Sequence, residues 1–241
     1  PAHERNYIIK YCFGQNIRTY SVPKISDILL RSSVELNLFD SPLLLSRNNQ
    51  GLQIEQEIMK RIIDIVGSLI GIVITIPIFL IVGICIKMTD GGPVIYQQTR
   101  LTKNGKKFQI YKFRTMVQNA EADGKARLAS EGDPRILPIG RILRATRLDE
   151  LPQIYNILKG DMSIVGPRPE RPELAAELEK EIPEFSFRLQ VKAGLTGYAQ
   201  VYGKYNTTPY DKLKLDLTYI RNYSVLEDLK LIIMTPKIML M

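Results

Sequence analysis

A single histidine, His3, stands at the very start of this 241-residue chain. That scarcity removes Ser-His triads, histidine-ligated zinc and histidine general bases together, since each needs an imidazole inside a folded site. Cysteine is nearly as rare. Cys12 and Cys85 lie far apart and the second sits in an apolar run, which argues against a disulfide framework or a thiolate zinc site and points to a reducing compartment. There is no internal repeat and no low-complexity tract. Chemistry is left to carboxylates, lysines, arginines or an oxygen-bound metal.

Hydrophobic residues make up 45% of the chain and charged residues 24%, which fits neither a disordered tail nor a transporter with many spans. The length allows one good core, or one core plus a fragment. A net charge of +8 favours anionic partners: nucleotides, lipid phosphates or an anionic membrane surface. Nucleic acid would fit that charge equally well, so charge alone decides nothing.

The chain opens at Pro1 with no initiator Met and no signal-peptide pattern. Residues 4–15 have helical spacing and residues 17–22 (IRTYSV) alternate like a strand, together half of a βα unit with no sheet to join. Residues 1–45 are therefore expected to be the trailing edge of an upstream domain, the alternative being a small N-terminal subdomain. Residues 46–59 are expected to form a linker, and residues 60–241 the main domain.

Residues 65–86 (IVGSLIGIVITIPIFLIVGICI) contain no charge and have the length of a membrane-spanning helix. Pro77 interrupts the run, where it removes a backbone hydrogen bond and bends a helix. Lys60 and Arg61 precede the run and Lys87 follows it, so the positive-inside rule gives no orientation. Two readings are open: a helix over about residues 62–87 that enters, breaks at Pro77 and returns to the same face, or an ordinary kinked span.

Beyond it, residues 93–98 and 107–113 read as strands around a Lys-Asn-Gly-Lys turn. Residues 121–134 read as a polar loop or short helix. Helices are expected over 139–145, 151–158, 172–181 and 210–222, with an apolar tail at 229–241 for the membrane interface or the core. The fold class is α+β: a mostly helical domain with a small β element, a Pro-broken membrane helix and interfacial amphipathic helices.

Four stretches carry candidate chemistry. In RATRLDELPQIYNILKGD (144–161), Asp149 stands where an N-cap would and Gly160 where the helix would end. A carboxylate there is held ionised by the helix dipole, with Arg144 and Arg147 nearby. An ordinary acidic cap would read the same. In IVGPRPER (164–171), Pro167 and Pro169 hold Arg168 in a stiff frame suited to phosphate. In KAGLTGYAQV (192–201), glycines make a turn able to admit a planar or phosphorylated ligand, with Tyr198 available for stacking. In YKFRTM (111–116), Lys112 and Arg114 share one face of a strand.

Taken in order, KRIIDIVG, the Pro-broken run, GPVIYQQTR, YKFRTM, TRLDELPQIYNILKGDMSIVGPRP and GLTGYAQV resemble the bacterial sugar transferase family, the monotopic polyprenol-phosphate phosphoglycosyl transferases. The resemblance covers residues 60–241, and it implies that residues 1–45 are the end of the nucleotide-fold domain found upstream in the larger members. It implies that Asp149 is the nucleophile with Glu150 its partner, and that both hold Mg2+. It implies phosphate or substrate contacts from Arg100, Lys112, Arg114, Arg144, Arg168, Gly197, Tyr198 and Gln200, and a re-entrant helix broken at Pro77. The implied partners are a UDP-sugar, polyprenol phosphate, membrane lipids and a second copy of the chain, with no nucleic acid. The implied location is the cytoplasmic face of the bacterial inner membrane, at the first membrane step of exopolysaccharide, capsule or O-antigen synthesis. Long-form members favour a hexose donor, glucose or galactose. Departures lie in the loops: KAG for KPG, Tyr198 for Trp, DGGPV for SPGPV, and Ile76 rather than Ser before Pro77. The reading from another class is a membrane-anchored scaffold or regulatory protein.

Overall fold

A computed structural model of the chain describes residues 2–31, 33–38, 41–45, 52–118, 120, 133–204 and 206–239. It divides into two compact units, residues 1–46 and 47–241. In the first, α1 (Ala2–Gly14) and α2 (Ile25–Arg31) are joined by an Arg5–Asp27 ion pair at 2.6 Å, and β1 (Val34–Leu38) pairs antiparallel with β2 (Ser41–Leu45). Residues 17–22, expected as a strand, carry no regular structure. Alternation produces a strand only where one face is buried, and here Ile17, Tyr20 and Val22 are all exposed.

The second unit begins with α3 (Ile54–Asp90), 37 residues that continue as helix through Pro77. It is long and apolar enough to cross a membrane. Its polarity is inverted relative to a soluble helix. Lys60, Asp64 and Ser68, spaced one turn apart, are buried against the protein, while Ile62, Val66, Leu69, Ile70, Val73 and Ile74 face outward. A face of that kind finds a favourable surrounding in lipid, and the chain is membrane-associated.

The inward face docks along its whole length. Lys60 donates to Asp228 at 2.6 Å and to the Tyr219 hydroxyl at 2.9 Å. Arg61 donates to the Ile157 and Leu158 carbonyls, both at 2.7 Å, and Asp64 accepts from Ser163 Oγ and the Ile164 amide. Farther along, Phe79 meets Phe113 with ring centroids 4.9 Å apart, and Val82 and Ile86 join Phe113 and Leu143 in a buried cluster.

β3 (Ile95–Leu101) and β4 (Lys107–Phe113) form the expected hairpin, paired from Ile95↔Phe113 to Leu101↔Lys107. Residues 121–132 of the expected polar loop lie outside the described residues. α4 (Pro138–Ala145) starts on proline, and α5 (Gln153–Lys159) ends at Gly160, whose φ of 98° is the left-handed conformation that favours glycine. Asn156 is fully buried and imitates a strand neighbour. Its Oδ1 accepts from the Tyr111 amide at 3.0 Å and its Nδ2 donates to the Gln109 carbonyl at 2.7 Å, which locks α5 onto β4.

β5 (Ser163–Val165) pairs in parallel with β6 (Gly194–Thr196). Between them in the chain come α6 (Pro172–Glu181) and a 3-10 segment Pro183–Gln190, and after β6 come α7 (Tyr198–Val201), α8 (Pro209–Arg221) and α9 (Val225–Met239). For the apolar tail, α9 shows packing on the core along one side. Leu231 is buried in the core, while Leu226, Leu229 and Ile233 on the other side are exposed.

Candidate active site

Asp149 does not cap α5. Arg147, in the left-handed conformation at φ 54°, opens a separate 3-10 turn, Leu148–Glu150, and the α5 N-cap is Pro152. The turn is closed by Glu150 N to Arg147 O at 3.1 Å and Leu151 N to Leu148 O at 3.2 Å. The dipole that was expected to keep Asp149 ionised is therefore not aimed at it. Burial raises its pKa instead, opposed by Lys112, reinforced by the neighbouring Glu150 charge, and opposed again by Arg144 and Arg168. Among the described residues the Asp149 carboxylate has no hydrogen-bond or ion-pair partner.

Glu150 is its opposite. One oxygen, Oε1, accepts from Lys112 Nζ and from Arg168 Nη2, each at 2.7 Å. Burial pushes its pKa up, but Arg168 and Lys112 outweigh burial and hold it down at about 2. Burial lowers the Lys112 pKa against the pull of Glu150. For Arg168 burial acts downward, and Glu150 reverses it to a net rise. Two adjacent carboxylates thus differ sharply: one fixed and ionised, the other unpartnered and under the positive field of three side chains. Arg144, the third of these, is aimed by its Nε bond to Thr115 Oγ1 at 2.8 Å.

The Arg168 loop is held from behind by two other arginines. Arg188 donates to the Arg168 carbonyl at 2.9 Å and pairs with buried Asp216 at 2.8 Å, while Arg100 donates to the Pro169 carbonyl at 3.1 Å and to Gln98 at 2.7 Å. The glycines of the next stretch serve the same loop. A Cβ on Gly194 would stand 2.1 Å from Gly166 N, and one on Gly197 would stand 2.2 Å from Gly166 O. They allow two backbones to touch, so on the side facing Gly166 the turn is filled by the protein's own main chain.

Of the predicted site residues, Asp149, Glu150, Lys112, Arg144 and Arg168 come together, and Arg100 lies directly behind them. Arg114 goes elsewhere. β4 ends at Phe113, and Arg114 turns to a two-pronged ion pair with Asp90, at 2.7 Å on one prong, so it does not share a working face with Lys112. Tyr198 spends its hydroxyl on Glu227 at 2.8 Å and its ring on Tyr202 and Tyr219. Gly197 caps the start of α7 and Gln200 lies within it, donating to the Leu195 carbonyl at 2.8 Å. Arg188, Asp216 and Asn156 were not anticipated. Their partners are distant in sequence, and no motif marks them.

For a divalent metal, no group of three or more His, Cys, Asp or Glu occurs among the described residues. Asp149, without a partner among the described residues, and the second oxygen of Glu150 nevertheless fit Mg2+. That ion is commonly held by one or two carboxylates plus substrate phosphates.

Comparison with known proteins matches residues 55–241 to the family described as bacterial sugar transferase. A UDP-N-acetylgalactosamine-undecaprenyl-phosphate N-acetylgalactosaminephosphotransferase of Aeromonas hydrophila is 40% identical over 185 residues, 76% of this chain and 44% of that protein. Galactosyl transferase CpsE of Streptococcus agalactiae is 43% identical over 197 residues, 76% of this chain and 42% of that protein. A UDP-glucose:undecaprenyl-phosphate glucose-1-phosphate transferase of Caulobacter vibrioides is 38% identical over 184 residues, 74% of this chain and 68% of that protein. The chain spans less than half the length of the first two.

Proposed function

Because this chain belongs to the bacterial sugar transferase family, we propose that it transfers a sugar 1-phosphate from a UDP-sugar to polyprenol phosphate through a phosphosugar carried on Asp149. The observation that carries this reading is the unpartnered Asp149 carboxylate beside a Glu150 locked between Lys112 and Arg168.

In the first step an Asp149 oxygen bonds to the sugar-bearing β-phosphorus, and the bond from that phosphorus to the bridging oxygen breaks, releasing UMP. In the second step a phosphate oxygen of the polyprenol phosphate bonds to the same phosphorus and Asp149 leaves. Arg168, Lys112 and Arg144 would neutralise charge on the diphosphate, and Glu150 keeps two of those cations in place without competing as a nucleophile. Mg2+, held by Asp149 and Glu150 with diphosphate oxygens, would supply further charge neutralisation when bound. Arg100 and Arg188 act on the Arg168 loop rather than on substrate.

A re-entrant α3 on the cytoplasmic face of the inner membrane is part of this proposal: the helix runs through Pro77 without the break expected there, and it is the docking of its two ends that supports the re-entrant path. Both its first turns, at Lys60 and Asp64, and its last, at Val82 and Ile86, pack on the same unit, and its apolar face lies opposite. The family relatives are named for N-acetylgalactosamine, galactose and glucose, and a hexose donor is the reading adopted here.

The test is UMP release by purified protein in detergent, with Mg2+ and a panel of UDP-sugars but no lipid acceptor. Release close to one UMP per chain supports the reading. Silence with every donor favours a scaffold.

The pH dependence follows from the two carboxylates. Asp149 must be ionised to attack, and its pKa lies above the ordinary aspartate value of about 3.9. Activity should therefore fall, as pH decreases, at a higher pH than an unperturbed aspartate would give. Glu150, at about 2, stays charged throughout that limb. A pH profile of first-turnover UMP release whose acid limb lies at or below 3.9 contradicts the assignment.

A further inference from the structure

Beside Glu150 lies a cavity of about 270 Å³ that the transfer chemistry above does not use. Its walls are mainly Leu151, Ile164, Leu195, Val201, Ile232 and Pro236, contributed by the segment entering α5 and by β5, β6, α7 and α9. A dry apolar cavity of about 150 Å³ is enough to hold benzene, so this one has room for one or two five-carbon units.

The few polar groups in it are nearly all occupied. The Thr196 and Thr235 hydroxyls bond to each other at 2.7 Å, and Thr235 donates to the Leu231 carbonyl at 2.7 Å. Gln200 Oε1 alone is buried without a partner. One free acceptor is poor provision for a hexose, whose several hydroxyls would be left unpaired against an apolar wall. A hydrocarbon ligand suits that wall better.

Depth points the same way. Ile164, which lines the cavity, rests on α3 at Gly67, where a Cβ would come within 2.6 Å of its Cδ1. Gly67 belongs to the uncharged stretch of α3, flanked by the outward-facing Val66 and Leu69. The cavity thus stands beside the part of the helix that faces lipid. At its rim are Glu150 and Arg147, and Arg147 is exposed with no ion-pair partner among the described residues.

We infer that this cavity is the seat of the first isoprene units of the acceptor, with the acceptor phosphate at the rim between Arg147 and Asp149. The inference rests on the proposed function, from which it takes the identity of the acceptor. It adds where that lipid lies and which cation receives its phosphate. An anion at the rim would meet Arg147 while its tail stays out of water.

The experiment fills the cavity and separates the two half-reactions. Ile232→Trp is assayed in detergent with UDP-sugar and a short polyprenyl phosphate, and Arg147→Gln is assayed in parallel. The expected result is a tenfold or greater rise in acceptor KM for both variants, with donor KM within twofold of the parent chain. A donor KM that rises as much as the acceptor KM assigns the cavity to the sugar and overturns the inference, as does an acceptor KM that stays put.

A second measurement does not depend on how the variants fold. A polyprenyl phosphate with a photoreactive group on its first isoprene unit, irradiated with the parent chain, should label β6, α7 or α9. Labelling confined to other segments overturns the inference. If the parent chain releases no UMP from any donor yet is labelled at those elements, the lipid seat stands while the transfer reading fails.

Discussion

Replacing Asp149 with Asn is expected to abolish UMP release from a UDP-sugar, a loss of roughly ten-thousand-fold or more. The amide has almost the same shape but cannot form the acyl phosphate and be expelled from it. The loss should be chemical and not structural. Among the described residues Asp149 has no partner to lose, and burial raises its pKa. A raised carboxyl pKa means that the ionised form is unfavourable in the folded protein at neutral pH, so Asn should leave the Tm unchanged or slightly higher. Measured together, lost turnover with a kept Tm identifies a reacting group. Full turnover by Asp149→Asn would remove the covalent mechanism.

Glu150→Gln should give the second largest effect, a fall in first-turnover UMP release of about a hundred- to a thousandfold. The amide keeps one acceptor oxygen for Lys112 or Arg168 but loses the charge that holds both. Two further readouts follow from signs. Glu150 has a depressed pKa, so it stabilises the fold at neutral pH, and that contribution fades as pH falls from the ordinary Glu value of about 4.3 toward about 2. The variant should therefore have a lower Tm at neutral pH than the parent chain, with the gap closing in acid. The Glu150 charge is also one of the influences raising the Asp149 pKa. Removing it should move the acid limb of the remaining activity to lower pH. A merely structural glutamate would lower stability without moving that limb.

Much of this arrangement was legible in the residues because it is local. Proline at Pro138, Pro172 and Pro209 and glycine at Gly160 mark helix ends by backbone constraint alone, and the observed helices begin or end there. The β3–β4 hairpin is equally local, closed by a turn in which Asn104 and Gly105 take positive φ. The convergence of Lys112, Arg144, Glu150 and Arg168 was implied by the family resemblance and not by the residues taken singly.

What was not legible depends on partners distant along the chain. Arg114 and Lys112 look equivalent in YKFRTM. Only the end of α3, which brings Asp90 to Arg114, tells them apart. Tyr198 seemed free for stacking until α9 supplied Glu227. Arg188 and Asp216 sit in ordinary helical patterns, and only folding pairs them under the Arg168 loop. The Asp149 cap was misread because a cap depends on where the helix begins. The left-handed Arg147 inserted a 3-10 turn that spacing does not reveal.

The central claim is that the sugar phosphate passes through Asp149. It is tested most directly by intact-protein mass measurement of the chain, mixed with Mg2+ and a competent UDP-sugar in the absence of acceptor. The prediction is a mass gain equal to one phosphosugar, mapping to the peptide that contains Asp149, absent from Asp149→Asn and discharged on adding polyprenol phosphate. Turnover in the complete reaction, with no adduct at Asp149 before acceptor is added, would contradict it.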